Sequence, residues 1–198
     1  GKNEALYRAL SGPKGVKEEL TAPEARLREF VLRDYRRSGM ALSPERRVRL
    51  KAIEERIAKL GQEFSKNIAE DKTALLFTPA ELKGVTIDRI DARSVAGGFE
   101  VRLGSSSYTA LMTEAEDPET RKRAYVAYKS RAAKANVPIL EEVLRLRNEA
   151  ARLLGYPSTA AYETEIRMAK SPKGVADFYK KLRPIVRKKA KADYDEFL

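Results

Sequence analysis

The sequence predicts a mainly α fold: a multi-helix lobe with long amphipathic helices and one small β-hairpin, at about Phe99 to Met112. Three observations carry this. Leu50, Ile53, Ile57, Leu60, Phe64 and Ile68 step by three or four residues, the spacing that gathers apolar side chains on one helical face. Helix starts and stops punctuate the chain: Ser43-Pro44, Asp117-Pro118 and Ser171-Pro172 precede helical text, and Gly39 and Gly155 end it. Period-two alternation, the mark of a half-buried strand, occurs in Phe99-Glu100-Val101-Arg102-Leu103.

Taken in order, Glu4 to Leu10 is helical text, and Glu24 to Ser38 follows as a helix with Pro23 in its first turn and Gly39 as its stop. The stripe from Leu50 to Ile68 buries one face against neighbouring helices or, at this length, forms a coiled coil; other amphipathic helices in the chain favour the bundle. After Thr73 the pattern changes. Leu75-Leu76-Phe77 is a short apolar run, and Thr78-Pro79-Ala80-Glu81 offers one helical turn. Gly97-Gly98 is a turn, because no following helix in a βαβ setting makes it a phosphate cradle. Gly104 with three serines is read as a hairpin turn leading into a second strand, Tyr108 to Met112.

Helical text resumes at Asp117. Asn136 is expected to cap the next helix, which Gly155 closes; Ser158 opens a short one. Ser171 opens the last helix, in which Pro184 is expected to produce a kink or a division. That helix is still amphipathic at Leu198, so residues 1–198 are expected to form a single helical lobe belonging to a longer protein.

Composition excludes whole classes of chemistry. The 198 residues carry a formal net charge of +11 and contain no His, Cys or Trp. Serine and cysteine triads, thiol redox chemistry and ordinary zinc sites are therefore outside the reach of this chain alone. No apolar run approaches the ~18 residues of a membrane span, and Gly1-Lys2-Asn3-Glu4 lacks a signal-peptide core. With no cysteine to oxidise, a cytoplasmic location is expected.

The charge is unevenly placed. Lys170 to Lys191 is dense in cations opposed only by Asp177, and Arg121 to Lys134 adds six more without an acid. Such stripes can track phosphates, yet no helix-turn-helix, finger or sheet of exposed aromatics accompanies them. Solvated helix faces are the simpler reading, and a basic module binding nucleic acid or an acidic partner is the alternative. Glu54-Glu55 and Glu141-Glu142 point about 100° apart on their helices, so neither is a proton-sharing dyad. Salt bridges such as Glu55 with Lys59 and Glu141 with Arg145 explain them better. No catalytic or metal-ligating residue is singled out, and none can be assigned to substrate.

Several segments in order nevertheless resemble the thimet oligopeptidase, neurolysin and oligopeptidase A family of zinc metallopeptidases. They are Leu32-Arg33-Asp34-Tyr35-Arg36-Arg37-Ser38-Gly39, Ile57 to Asn67, and Asp117-Pro118-Glu119-Thr120-Arg121-Lys122. The fullest runs from Asn136 through Ile139-Leu140-Glu141-Glu142-Val143-Leu144 and Leu153-Leu154-Gly155-Tyr156 to Arg167-Met168-Ala169-Lys170-Ser171-Pro172. The resemblance implies a helical fold with a long channel for short peptides, and zinc in the parent enzyme held by an HExxH helix and a downstream glutamate. With no histidine, this chain would supply the non-catalytic N-terminal lobe, a wall of the channel, inactive by itself and without a cofactor of its own. Its partner would be a C-terminal catalytic lobe, in the same chain or a separate one. The net charge and the short helical text before Leu32 depart from the family's pattern.

Overall fold

The computed structural model describes residues 3–12 and 19–198. Among these are eight α-helices, a 3-10 turn at Ile87–Arg89 and one three-stranded antiparallel sheet, so the mainly α class with a small β element holds. The helices are α1 Glu4–Ser11, α2 Ala22–Arg37, α3 Pro44–Ala69, α4 Ser105–Glu114, α5 Pro118–Lys129, α6 Ala133–Leu153, α7 Thr159–Glu165 and α8 Pro172–Phe197. The strands are β1 Ala74–Phe77, β2 Asp91–Val95 and β3 Gly98–Arg102. The chain divides into two compact units, one of Gly1–Ala58 with Val143–Leu198 and one of Lys59–Glu142.

In the first unit, caps set the helix boundaries. Asn3 Oδ1 accepts from the Leu6 N–H at 3.0 Å, and the Glu24 carboxylate accepts from the Thr21 N–H at 2.9 Å. Gly39, at φ +86°, turns the chain out of α2; a Cβ there would meet Leu50 Cδ2 at 2.6 Å. Leu50, Ile53 and Ala151 are the buried centre of this unit. Ser158 and Ser171 accept from Ala161 and Gly174 N–H groups as caps of α7 and α8. Pro184 does not divide α8, which runs unbroken from Pro172 to Phe197. One proline removes a single backbone bond, and the Lys-, Arg- and Ala-rich text around it continues the ladder on both sides.

The second unit holds the sheet, in the order β1-β3-β2. The expected strand at Phe99 to Leu103 is present as the central β3, but the expected partner at Tyr108 to Met112 is helix. Gly104 is the N-cap of α4, not a hairpin turn, and its carbonyl accepts from the Tyr108 N–H at 2.9 Å. Ser107, fully buried, accepts the Asp91 N–H at 2.9 Å, which ties α4 to the start of β2. The true hairpin is β2–β3, with Val95 opposite Gly98 and Gly97 at φ +83° in the turn. Phe77, Val101, Ala110, Leu111 and Ala124 form the core between the sheet and α4 and α5.

Asn136 is also placed differently from expectation. α6 begins at Ala133, so Asn136 lies inside the helix instead of capping it. Pro138 also sits within the helix. The entry is set by Ala132 at φ +53°, whose N–H donates to Asp71 Oδ2 at 2.8 Å. Asn136 itself is buried, donates to the Phe64 carbonyl at 3.1 Å and accepts from Asn67 Nδ2 at 2.9 Å. Asn136→Ala strips both bonds from a buried α3–α6 contact and is expected to cost about 2 kcal/mol, measured by urea denaturation. Among the described residues, no helix is long and apolar enough to cross a membrane.

Candidate functional site

Within the first unit the most organised polar cluster surrounds Arg37, at the end of α2. Arg37 is 8% exposed and donates to Glu165 Oε2 at 2.5 Å and to the Tyr162 carbonyl at 2.9 Å. Its guanidinium lies 3.9 Å from the Tyr162 ring centroid, and the Tyr156 hydroxyl donates to the same Glu165 oxygen at 2.6 Å. Burial opposes the charge on Arg37, but the Glu165 carboxylate and the tyrosine oxygens outweigh it and raise its pKa. The Tyr156 hydroxyl bond, with help from Arg37, lowers the pKa of Glu165 against the effect of burial. Burial and the neighbouring carboxylate raise that of Tyr156. Arg37 Nη1, Glu165 Oε2 and the Tyr156 hydroxyl are paired with one another. The arrangement is a clamp joining α2 to α7.

Beside it, α3, α6 and α7 enclose a cavity of about 460 Å³ with an apolar floor of Leu50, Ala151 and Leu154 and a rim including Arg147 and Glu163. Glu163 is engaged by Arg167 at 3.1 Å. The sequence offered no signal for this cavity, because its lining is spread over three helices. Of the glutamate pairs, Glu55 meets Lys51, 3.6 Å away and one turn earlier on the same helix face.

In the second unit, half of the basic run from Arg121 to Lys134 serves the fold. Arg121 donates to the Ala115 and Glu116 carbonyls at 2.6 and 3.0 Å, and Arg123 joins Glu81 and the Leu76 carbonyl. Tyr108 and Tyr128 stack with centroids 3.9 Å apart, and Arg131 covers the Tyr128 ring at 3.6 Å. The Ser105 hydroxyl, then the charges of Arg131 and Lys129, lower the Tyr128 pKa against burial. These rings are occupied by one another, which removes them as a platform for stacked bases.

The last helix is different. Its cations run from Lys173 to Lys191, and none of its residues is buried. Phe178 is 60% exposed, Ile185 70% and Val186 51%, so an apolar stripe lies open along it. Two ion pairs, Lys173 with Asp177 and Lys189 with Asp193, follow the helix axis and leave that stripe uncovered. Among the described residues, no group of three or more His, Cys, Asp or Glu side chains is placed to hold a metal ion.

Comparison with known proteins now gives this geometry a context. The family model described as Peptidase family M3 matches residues 111–197. Thimet-like oligopeptidase of Dictyostelium discoideum is 33% identical over 181 residues, which cover 89% of this chain and 27% of that protein. Oligopeptidase A of Salmonella typhimurium is 30% identical over 197 residues, covering 90% of this chain and 29% of that protein. Mitochondrial intermediate peptidase of Phaeosphaeria nodorum is 28% identical over 183 residues, covering 92% and 23%. The chain thus spans about a quarter of the length of these curated relatives. Similarity that extends through both compact units, with the family match running from α4 to the end of α8, supports a relation of this chain to peptidase family M3.

Proposed function

We propose that the chain forms the N-terminal helical lobe of a zinc-dependent oligopeptidase acting on short peptides, and contributes a wall of its substrate channel. The observation that carries this is the pairing of two spans: about nine-tenths of this chain aligns with oligopeptidases, yet it accounts for 27–29% of them. Zinc does not fit the residues present. The chain has no histidine or cysteine, and its described carboxylates form no cluster of three. The metal and the activated water therefore belong to a C-terminal catalytic lobe that supplies the HExxH helix, and no step of peptide cleavage is assigned to a residue here. A cytoplasmic setting goes with this reading, since nothing in the sequence requires oxidation.

The test is direct. The 198-residue chain alone is expected to bind no zinc at low micromolar concentration and to hydrolyse no quenched-fluorescent peptide. Mixed with the portion of Thimet-like oligopeptidase outside the aligned residues, it is expected to raise zinc-dependent cleavage above that portion alone. Stoichiometric zinc, or zinc-stimulated cleavage by this chain unaided, defeats the proposal.

A further inference from the structure

Among the described residues three tyrosine pairs bring their rings into contact, and their geometries differ. Tyr7 and Tyr35 meet tilted, at 51° with centroids 5.7 Å apart, and Tyr156 meets Tyr162 nearly edge-on, at 83° and 5.1 Å. Tyr108 on α4 and Tyr128 on α5 lie face to face, 7° from parallel with centroids 3.9 Å apart. The Arg131 guanidinium sits 3.6 Å from the Tyr128 centroid. Two groups this close over one ring must take opposite faces, so Tyr128 is sandwiched between a cation and Tyr108. We propose that Tyr108 and Tyr128 are an oxidative cross-linking site, which a one-electron oxidant joins through their Cε carbons into an intramolecular dityrosine that ties α4 to α5.

The step balances on the two side chains and a peroxide. Each phenol gives up one electron and its hydroxyl proton, and the unpaired spin of the phenoxyl radical spreads to the Cε carbons beside the one that bears oxygen. A bond forms between one Cε of each ring. The two Cε–H protons then move to the oxygens, and both rings are phenols again. The net loss is two electrons and two protons; one hydrogen peroxide, acting through a peroxidase, takes them and leaves as two waters. Stacking favours this pair because the partners are already held together, and a short closure between facing rings replaces a collision between two molecules. The Tyr128 hydroxyl lies 3.2 Å from that of exposed Ser105, which gives its proton a first acceptor open to water. That bond, with the charges of Arg131 and Lys129, already lowers the Tyr128 pKa against burial. Arg131 covers the face of Tyr128 that Tyr108 leaves, so a tyrosine of another molecule has no face on which to stack. The tilted and edge-on pairs hold no two rings face to face.

The test treats the full 198-residue chain, at low micromolar concentration, with hydrogen peroxide and a catalytic amount of a peroxidase. A monomer with dityrosine fluorescence is expected. Mass spectrometry of its tryptic digest should find residues 103–121 joined to residues 124–129, with the loss of two hydrogens, through Tyr108 and Tyr128. Tyr108→Phe and Tyr128→Phe each keep a ring in the stack but remove the phenol, and each should cut the yield of cross-linked monomer about tenfold or more. Tyr125→Phe, on the same tryptic peptide as Tyr128, should leave that yield unchanged. The proposal is overturned if no cross-linked monomer forms or if dityrosine appears only in covalent dimers. It is equally overturned if the bond maps to Tyr7 and Tyr35 or to Tyr156 and Tyr162, or if either of the first two variants gives the yield of the unaltered chain. These outcomes are independent of the zinc and cleavage measurements, so failure of the cross-linking site and failure of the lobe assignment are told apart.

Discussion

Arg37→Ala lowers the stability of the first unit by about 2–3 kcal/mol, the sum of a lost hydrogen bond to the Tyr162 carbonyl, a lost charged bond to Glu165 and a lost stack on Tyr162. The figure stays below that for a fully buried ion pair because Glu165 is 42% exposed and is rehydrated when its partner leaves. Arg37→Lys keeps the charge and a donor for the carboxylate but loses the planar guanidinium that lies over the Tyr162 ring. It is expected to recover no more than about half of the loss. Denaturant melts followed by hydrogen exchange check both size and place: protection should fall first in α2 and α7.

The pH dependence has a defined sign. The folded pKa of Glu165 lies below its ordinary value of 4.5, so its ion pair contributes full stability above that value. The contribution is lost as pH falls through the lower, folded value. Arg37→Ala removes one cause of the depression, and its destabilising effect should therefore shrink in acid. An effect of the same size near pH 7 and near pH 3 would show that the carboxylate plays no part.

Leu111→Ala is expected to be the most damaging single change in the second unit, at about 3 kcal/mol. Leu111 is fully buried on α4 among Phe77, Val101, Ala110 and Ala124, where the sheet and α4 and α5 converge. Removing its isopropyl group leaves a cavity among these packed side chains. Leu111→Met, which conserves volume, should cost less than about 1.5 kcal/mol. Equal losses for the two variants, read from chemical denaturation, would mean that the site is not packed as described.

How far the sequence carried can be judged from particular elements. Ser43, Asp117, Ser158 and Ser171 announced their helices because capping is a bond between neighbours, two or three positions apart. The stripe from Leu50 to Ile68 was equally legible, since helical periodicity is a property of one segment. β2 was missed. Its Asp-Ala-Arg-Ser-Val text is that of a polar edge strand with no apolar alternation, and only pairing with β3 makes it a strand. Tyr108 to Met112 was misread for the opposite reason: the same apolar run suits either element, and the buried Ser107 bond to Asp91 selects the helix.

The sequence by itself determined the helical class, most helix starts, the absence of histidine chemistry and the relation to peptidase family M3, all carried by local patterns or their order along the chain. Tertiary structure decided the rest. It chose the partners of β3, moved the start of α6 upstream of Asn136, and brought Arg37 to Glu165 across 128 positions. It also showed which amphipathic face stays open, the stripe of α8. The division has a physical cause. Caps and periodicity are short-range and can be read from neighbouring residues, whereas strand pairing, burial and ion pairing depend on which distant segments meet.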